Sequence, residues 1–163
     1  EVKTLPGIEE SYPDTLSGEE IPVFIACEKA DAYRQTMHSD ELIITADTIV
    51  WLDGLVMGKP EDEEDARRML RCLSGKTHQV ITGVCLTTTE FQKSFATVTD
   101  VTFAELTEEE IDYYVQKYKP MDKAGSYGIQ EWIGFVGVEG ITGSYFNVMG
   151  LPIQRLYKEL KKL

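Results

Sequence analysis

The sequence is short of bases: 28 acids stand against 16 lysines and arginines, a formal net charge of −12 over 163 residues. Nucleic acids and anionic membranes are met by clustered Lys and Arg, so neither is an expected partner. A small polyanion stays open, since two or three well-placed bases can hold one. Cysteine is equally sparse. Cys27, Cys72 and Cys85 are odd in number and lack CxxC spacing. That excludes a disulfide framework and predicts three reduced thiols in a cytoplasmic protein. No apolar run approaches the roughly 20 residues of a membrane span, and no segment reads as a secretory leader. The two histidines, His38 and His78, have no third ligand at a zinc spacing. His38 reads as a solvated loop residue. His78 precedes a strand and could contact a ligand, an ordinary structural role being the simpler reading.

Two motifs fail on inspection. Ser74-Gly75-Lys76-Thr77 resembles the tail of a P-loop, but Leu70 stands where the first glycine is required, and a helix precedes it. It reads as a helix cap and turn. No nucleophile elbow exists to support a Ser-His-Asp triad.

What is present, 42% apolar and 10% aromatic residues, is enough for one globular domain over residues 1–163. The chain opens Glu1-Val2-Lys3-Thr4-Leu5, which reads as a strand already in progress, and a truncated N-terminus is expected. A polar, turn-rich stretch with the acid pair Glu9-Glu10 follows, then a helix from about Pro22 with Ala26, Ala30 and Tyr33 at helical spacing. Pro60 predicts a second helix, acidic over 61–65, basic at Arg67, Arg68 and Arg71, and stopped by Gly75. The acidic run reads as a solvated helix start. Its buried stripe is Ala66, Met69, Leu70 and Leu73. Residues 79–89 and 92–104 look like a long antiparallel pair. Thr107-x-x-Glu110 is a capping box for a third helix carrying Ile111, Tyr114, Val115 and Tyr118, ended by Lys119-Pro120. Residues 123–150 predict short strands and tight turns. Pro152 opens a final helix with Ile153, Leu156, Tyr157 and Leu160 inward. The order gives an α/β protein with a mixed sheet.

The stretch Ile43-Ile44-Thr45-Ala46-Asp47-Thr48-Ile49-Val50-Trp51 stands out. An apolar, β-branched run carries one carboxylate, and burying that charge without a partner costs several kcal/mol. The strand must therefore open at Asp47 into a site that supplies one. Asp53-Gly54 signals a hairpin, whose return leg ends at Gly58-Lys59-Pro60, so Asp47 and Lys59 are expected at the same end. Glu10, Lys29, Lys59, Lys123 and Asp47 together suggest phosphate held by lysines and a divalent cation held by carboxylates.

At this point the residues resemble a known family, the Maf-type nucleoside triphosphate pyrophosphatases, also described as septum-formation inhibitors. Ala46-Asp47-Thr48-Ile49-Val50, with Gly58-Lys59-Pro60 and Leu73-Ser74-Gly75 after it, is similar to the first signature, and His78, Val80, Thr82 and Gly83 follow. Asp122-Lys123-Ala124-Gly125-Ser126-Tyr127-Gly128-Ile129-Gln130 resembles the second, and Gly143 through Pro152 the third. Ile8-Glu9-Glu10 and Glu28-Lys29-Ala30 match upstream. The resemblance implies a two-lobed Maf/ITPase-like α/β domain, a mixed twisted sheet flanked by helices, with a cleft. It implies hydrolysis of a nucleoside triphosphate to monophosphate and pyrophosphate, Asp47 accepting water's proton. Glu10 and Asp47 would hold Mg²⁺ or Mn²⁺, and Lys29 and Lys59 would neutralise the triphosphate. Thr48 and Gln130 would help choose the base. Gln130 with Gly143-Ser144-Tyr145 looks like the dTTP/UTP-preferring branch, and a homodimer is implied. Alternatives are clearance of other modified nucleotides and a non-catalytic role in septum formation. The family's opening strand and Ser-x-Ser-Pro-Arg-Arg loop are absent from this sequence. Glu131 stands where a glycine is common, which is expected to add bulk and charge beside Gln130 and tune substrate choice.

Overall fold

The computed structural model describes residues 1–8 and 10–163; Glu9 lies outside the described residues. Among the described residues, five strands form one sheet in the order β2-β1-β3-β4-β5: β1 Ile43–Leu52, β2 Leu55–Met57, β3 Thr77–Thr87, β4 Gln92–Phe103 and β5 Val138–Thr142. The α/β class, with helices around a single sheet, is as expected. Every strand pairing is antiparallel, so the mixing lies between helices and strands and not between strand directions. The β1–β2 hairpin turns on Asp53 and Gly54, with φ of 50° and 81°, the doubly left-handed turn that an Asp-Gly pair favours. The long β3–β4 pair runs in continuous register from Thr77↔Thr102 to Thr87↔Gln92.

Helix α1, Glu20–Arg34, covers one face of the sheet, burying Ile21, Ile25, Ala26 and Ala30. On the opposite face, α2 (Glu63–Leu73) and α3 (Glu108–Tyr118) pack Met69, Leu70, Leu73, Ile111 and Tyr114 against Val50, Val80, Val101 and Phe103. Cover on both faces explains why β3 is buried without interruption from Val80 to Thr87. Helix α2 starts three residues later than Pro60, at an N-cap where the Asp62 side chain accepts from the Asp65 N–H. The Thr107–Glu110 capping box is formed in both directions.

The remaining expectations were only partly met. Residues 1–5 form no strand; instead the Tyr33 hydroxyl donates to the Lys3 carbonyl and accepts from the Leu5 N–H. Residues 123–150 hold β5, as expected of short strands, but also two short helices, α4 (Trp132–Gly137) and α5 (Tyr145–Met149). In α6, Ile153–Leu160, Leu156 faces inward while Ile153 and Tyr157 are 49% and 61% exposed. The inward place is taken by Glu159, whose carboxylate is paired with Lys93, Arg155 and Lys162. His78 is buried in the core, the simpler of its two readings. Its Nε2 lies 2.6 Å from the Tyr127 hydroxyl, Phe103 packs edge-on against the ring, and burial pushes the imidazole pKa down to about 4. His38 is exposed. The three cysteines are free thiols. Among the described residues, no helix is long and apolar enough to cross a membrane.

Candidate active site

Strand β1 is paired with β3 along residues 43–51 but with β2 only along 50–52. Among the described residues its other edge is therefore open over residues 43–49, and a cleft of about 550 Å³ lies along part of it. Strand side chains alternate between the two faces. On the α1 face, Thr45 donates to the Ala26 carbonyl, Asp47 meets Lys29, and Ile49 packs with Ile21 and Ile25. On the other, Thr48 lies 2.9 Å from the Thr82 hydroxyl and donates to the Gly150 carbonyl at 3.4 Å. Asp47 and Thr48 thus reach the same cleft from opposite sides of the sheet.

The charge at Asp47 finds its partner as anticipated. Lys29 Nζ is 3.4 Å from Asp47 Oδ1 and 3.1 Å from Glu10 Oε1, and it donates to the Ala46 carbonyl at 3.3 Å. Lys59 Nζ stands 3.9 Å from the other oxygen of Glu10. The Asp47 side chain is only 10% exposed. Burial is the largest influence on it, and the Glu10 charge adds to it; Lys29 and Lys59 oppose. The outcome is a pKa raised from 3.8 to about 6.

The far wall comes from the second and third signatures. The Gly125 N–H donates to the Gly58 carbonyl, which ties residues 122–130 to the end of the hairpin. Gly125 has φ of 69°, and a Cβ there would lie 2.6 Å from Val50 Cγ2, so only glycine fits. Gln130 is exposed on this wall, and Lys123 and Tyr127 line it too. Residues 148–150 complete it, anchored by Asn147. That fully buried amide donates toward the carbonyls of Val80 and Thr97 and the Thr99 hydroxyl. Glu131 does not line the cleft. Its carboxylate turns away to accept from the Tyr114 hydroxyl at 2.6 Å, so it adds no bulk beside Gln130.

All seven residues singled out from the sequence, Glu10, Lys29, Asp47, Thr48, Lys59, Lys123 and Gln130, border this one cleft. Sequence reasoning assigned no role to Tyr12, Tyr127 or Asn147. The last two lay inside quoted signatures, and the helix-start pattern Ser144-x-x-Asn147 was the available signal for Asn147; its Ser144 side chain caps α5. Among the described residues, no group of three or more His, Cys, Asp or Glu side chains could cage a metal ion. Two carboxylates converging on one ammonium nitrogen do suit a hard cation that takes its remaining ligands from phosphate and water, as Mg²⁺ commonly does.

A largely buried carboxylate among ammonium groups, lining a cleft of about 550 Å³, defines a protein suited to phosphate-bearing small molecules. The comparison with known families is specific: the model described as "Maf-like protein" matches residues 1–163, and the chain belongs to that family. A protein of Phocaeicola vulgatus named dTTP/UTP pyrophosphatase is 80% identical over 163 residues, covering 100% of this chain and 84% of its own length. One of Bacteroides fragilis with the same name is 72% identical over 162 residues, covering 99% and 84%. One of Porphyromonas gingivalis, again so named, is 53% identical over 163 residues, covering 99% and 82%.

Proposed function

We propose that this protein hydrolyses dTTP and UTP to the monophosphate and pyrophosphate. The observation that carries the reading is Asp47, enclosed at the open edge of β1 and within reach of Lys29, Lys59 and Glu10. The names of its relatives support the same substrates. Attack on a phosphoanhydride depends on charge neutralisation and a placed water more than on covalent catalysis. Lys29 and Lys59 neutralise the triphosphate, and Lys59, 58% exposed, is free to swing onto it. Asp47 accepts the proton of the attacking water once ionised, which its raised pKa suits near neutral pH. Glu10 and Asp47 would hold Mg²⁺ or Mn²⁺, which supplies further charge neutralisation on the phosphates when bound. Gln130 offers an amide donor and acceptor to the polar edge of a pyrimidine. Thr48 acts on base choice through the wall it fastens at Gly150. A cytoplasmic homodimer completes the reading. Exposed apolar side chains on α5 and α6, Phe146, Met149, Ile153 and Tyr157, suit a second copy of the chain, and sedimentation velocity tests that.

A screen of nucleoside triphosphates with and without Mg²⁺ or Mn²⁺, reading released pyrophosphate, tests the assignment. Turnover of dTTP and UTP only with metal is expected; absence of pyrophosphate from either would sink it. Lys59→Ala should raise KM for both about tenfold, the equivalent of one exposed phosphate contact, with kcat little changed. An unchanged KM would remove Lys59 from its role.

A further inference from the structure

Gln130 stands on a short turn whose two ends are tied to one phenol. Tyr114, wholly buried on α3, donates its hydroxyl proton to Glu131 Oε1 at 2.6 Å and accepts from the Gly128 N–H at 3.0 Å. The turn is closed on itself by the Glu131 N–H donating to the Gly128 carbonyl at 3.0 Å. Packing around it is tight: a Cβ on Gly128 would lie 2.8 Å from Glu131 Oε1 and 2.8 Å from Lys123 Cε. Ile129 is buried at one corner, while Gln130 at the next is exposed to the cleft.

The polarity of this bridge is fixed by chemistry. A carboxylate only accepts, so the phenol proton goes to Glu131, and the phenol oxygen is left to receive the Gly128 N–H. Removing the acceptor at 131 frees the phenol to reorient, and removing the phenol strands a buried N–H. In either case Gln130 loses its fixed place on the wall. The Lys29–Asp47–Lys59 group on the hairpin side is untouched. Resting on the pyrophosphatase reading above, we propose that Tyr114 and Glu131 are positioning residues that set nucleobase selectivity by holding the 128–131 turn.

The test measures kcat and KM for UTP, dTTP and GTP in wild type, Tyr114→Phe, Glu131→Ala, Glu131→Gln and the Phe/Ala double variant, with melting temperatures alongside. Tyr114→Phe and Glu131→Ala are each expected to raise KM for UTP and dTTP about tenfold, the worth of one well-placed hydrogen bond. Their kcat should stay within about threefold and the KM for GTP within about twofold. Glu131→Gln keeps an acceptor oxygen and should restore pyrimidine preference, and the double variant should be no worse than either single one. If Tyr114→Phe fails to fold, the partly exposed Glu131 carries the test alone. Variants that lose all three nucleotides equally, or only melt earlier with selectivity unchanged, overturn the proposal. A wild type that releases no pyrophosphate overturns the pyrophosphatase reading and this proposal with it, whereas wild-type turnover with unshifted variants overturns this proposal alone.

Discussion

Asp47→Asn is expected to abolish pyrophosphate release and, in the metal-free protein, to raise the melting temperature. Loss of a proton acceptor costs roughly 10²–10⁴-fold in rate, and a weaker hold on the divalent cation would add to that, so activity should fall at least about a thousandfold. The stability effect has the opposite sign. Burial, reinforced by Glu10 and only partly offset by Lys29 and Lys59, lifts the carboxyl from 3.8 to about 6. The folded protein therefore binds this proton better than the unfolded chain does. Stability from this group is fully present below about pH 4 and is lost as pH rises through 6. At pH 7 the ionised carboxylate costs up to about 3 kcal/mol, two pKa units' worth. The amide of Asn is neutral, nearly the same shape and still able to accept from Lys29, so it removes that cost. For a domain of this size the gain corresponds to a rise of several degrees. Melting curves of the two proteins should converge near pH 4 and part between pH 4 and 6. An Asn variant that keeps wild-type turnover, or that is less stable at pH 7, would show that Asp47 is an ordinary paired charge. Such a trade of activity against stability is common where a site holds a group in an unfavourable environment.

Much of the frame was legible because its signals are local. Asp53-Gly54 dictates its turn by φ alone, Thr107 and Glu110 cap each other three residues apart, and α2 announces itself by both charge gradient and stripe. The candidate acid was legible for a similar reason, since one carboxylate in a β-branched run conflicts with burial. What that acid would meet was not local. Lys29 arrives from α1, 18 residues earlier, and Glu10 from a loop before that, so their convergence depends on how α1 lies on the sheet. Residues 123–150 resisted reading because α4 and α5, at six and five residues, are too short for a helical period to rise above the glycines. Spacing alone puts Ile153 and Tyr157 on the inward face of α6. The face they were assigned is occupied instead by Glu159, which three cations make buriable, and composition does not reveal such a cluster. Glu131 is a neighbour of Gln130 in sequence. Its hydrogen bond to Tyr114, 17 residues away, turns it elsewhere.

How α1 lies on the sheet rests on Gly83, and Gly83→Ala is the second substitution with a large expected effect. Gly83 pairs directly with Asp47 across β1 and β3. A Cβ built there would stand 2.3 Å from the Val23 nitrogen and 2.4 Å from the Pro22 carbonyl carbon. Both atoms are backbone near the start of α1, so no side chain can rotate away. The helix itself must shift by more than an ångström to restore van der Waals contact. Overpacking against rigid backbone costs roughly 3 kcal/mol, a drop of several degrees or more in melting temperature. The shift also acts on function, because α1 delivers Lys29 to Asp47 and Glu10 within 3.4 Å, and displacement by an ångström is enough to cost about a hundredfold in rate. Gly83→Ala should therefore melt earlier and, below its transition, still hydrolyse dTTP slowly, with kcat falling more than KM rises. Pyrimidine preference should persist, since the wall that carries Gln130 is built on the opposite face of the sheet. A variant with wild-type melting and turnover would mean that α1 sits farther from β3 than this close contact requires, and the account of how Lys29 reaches Asp47 would fall with it.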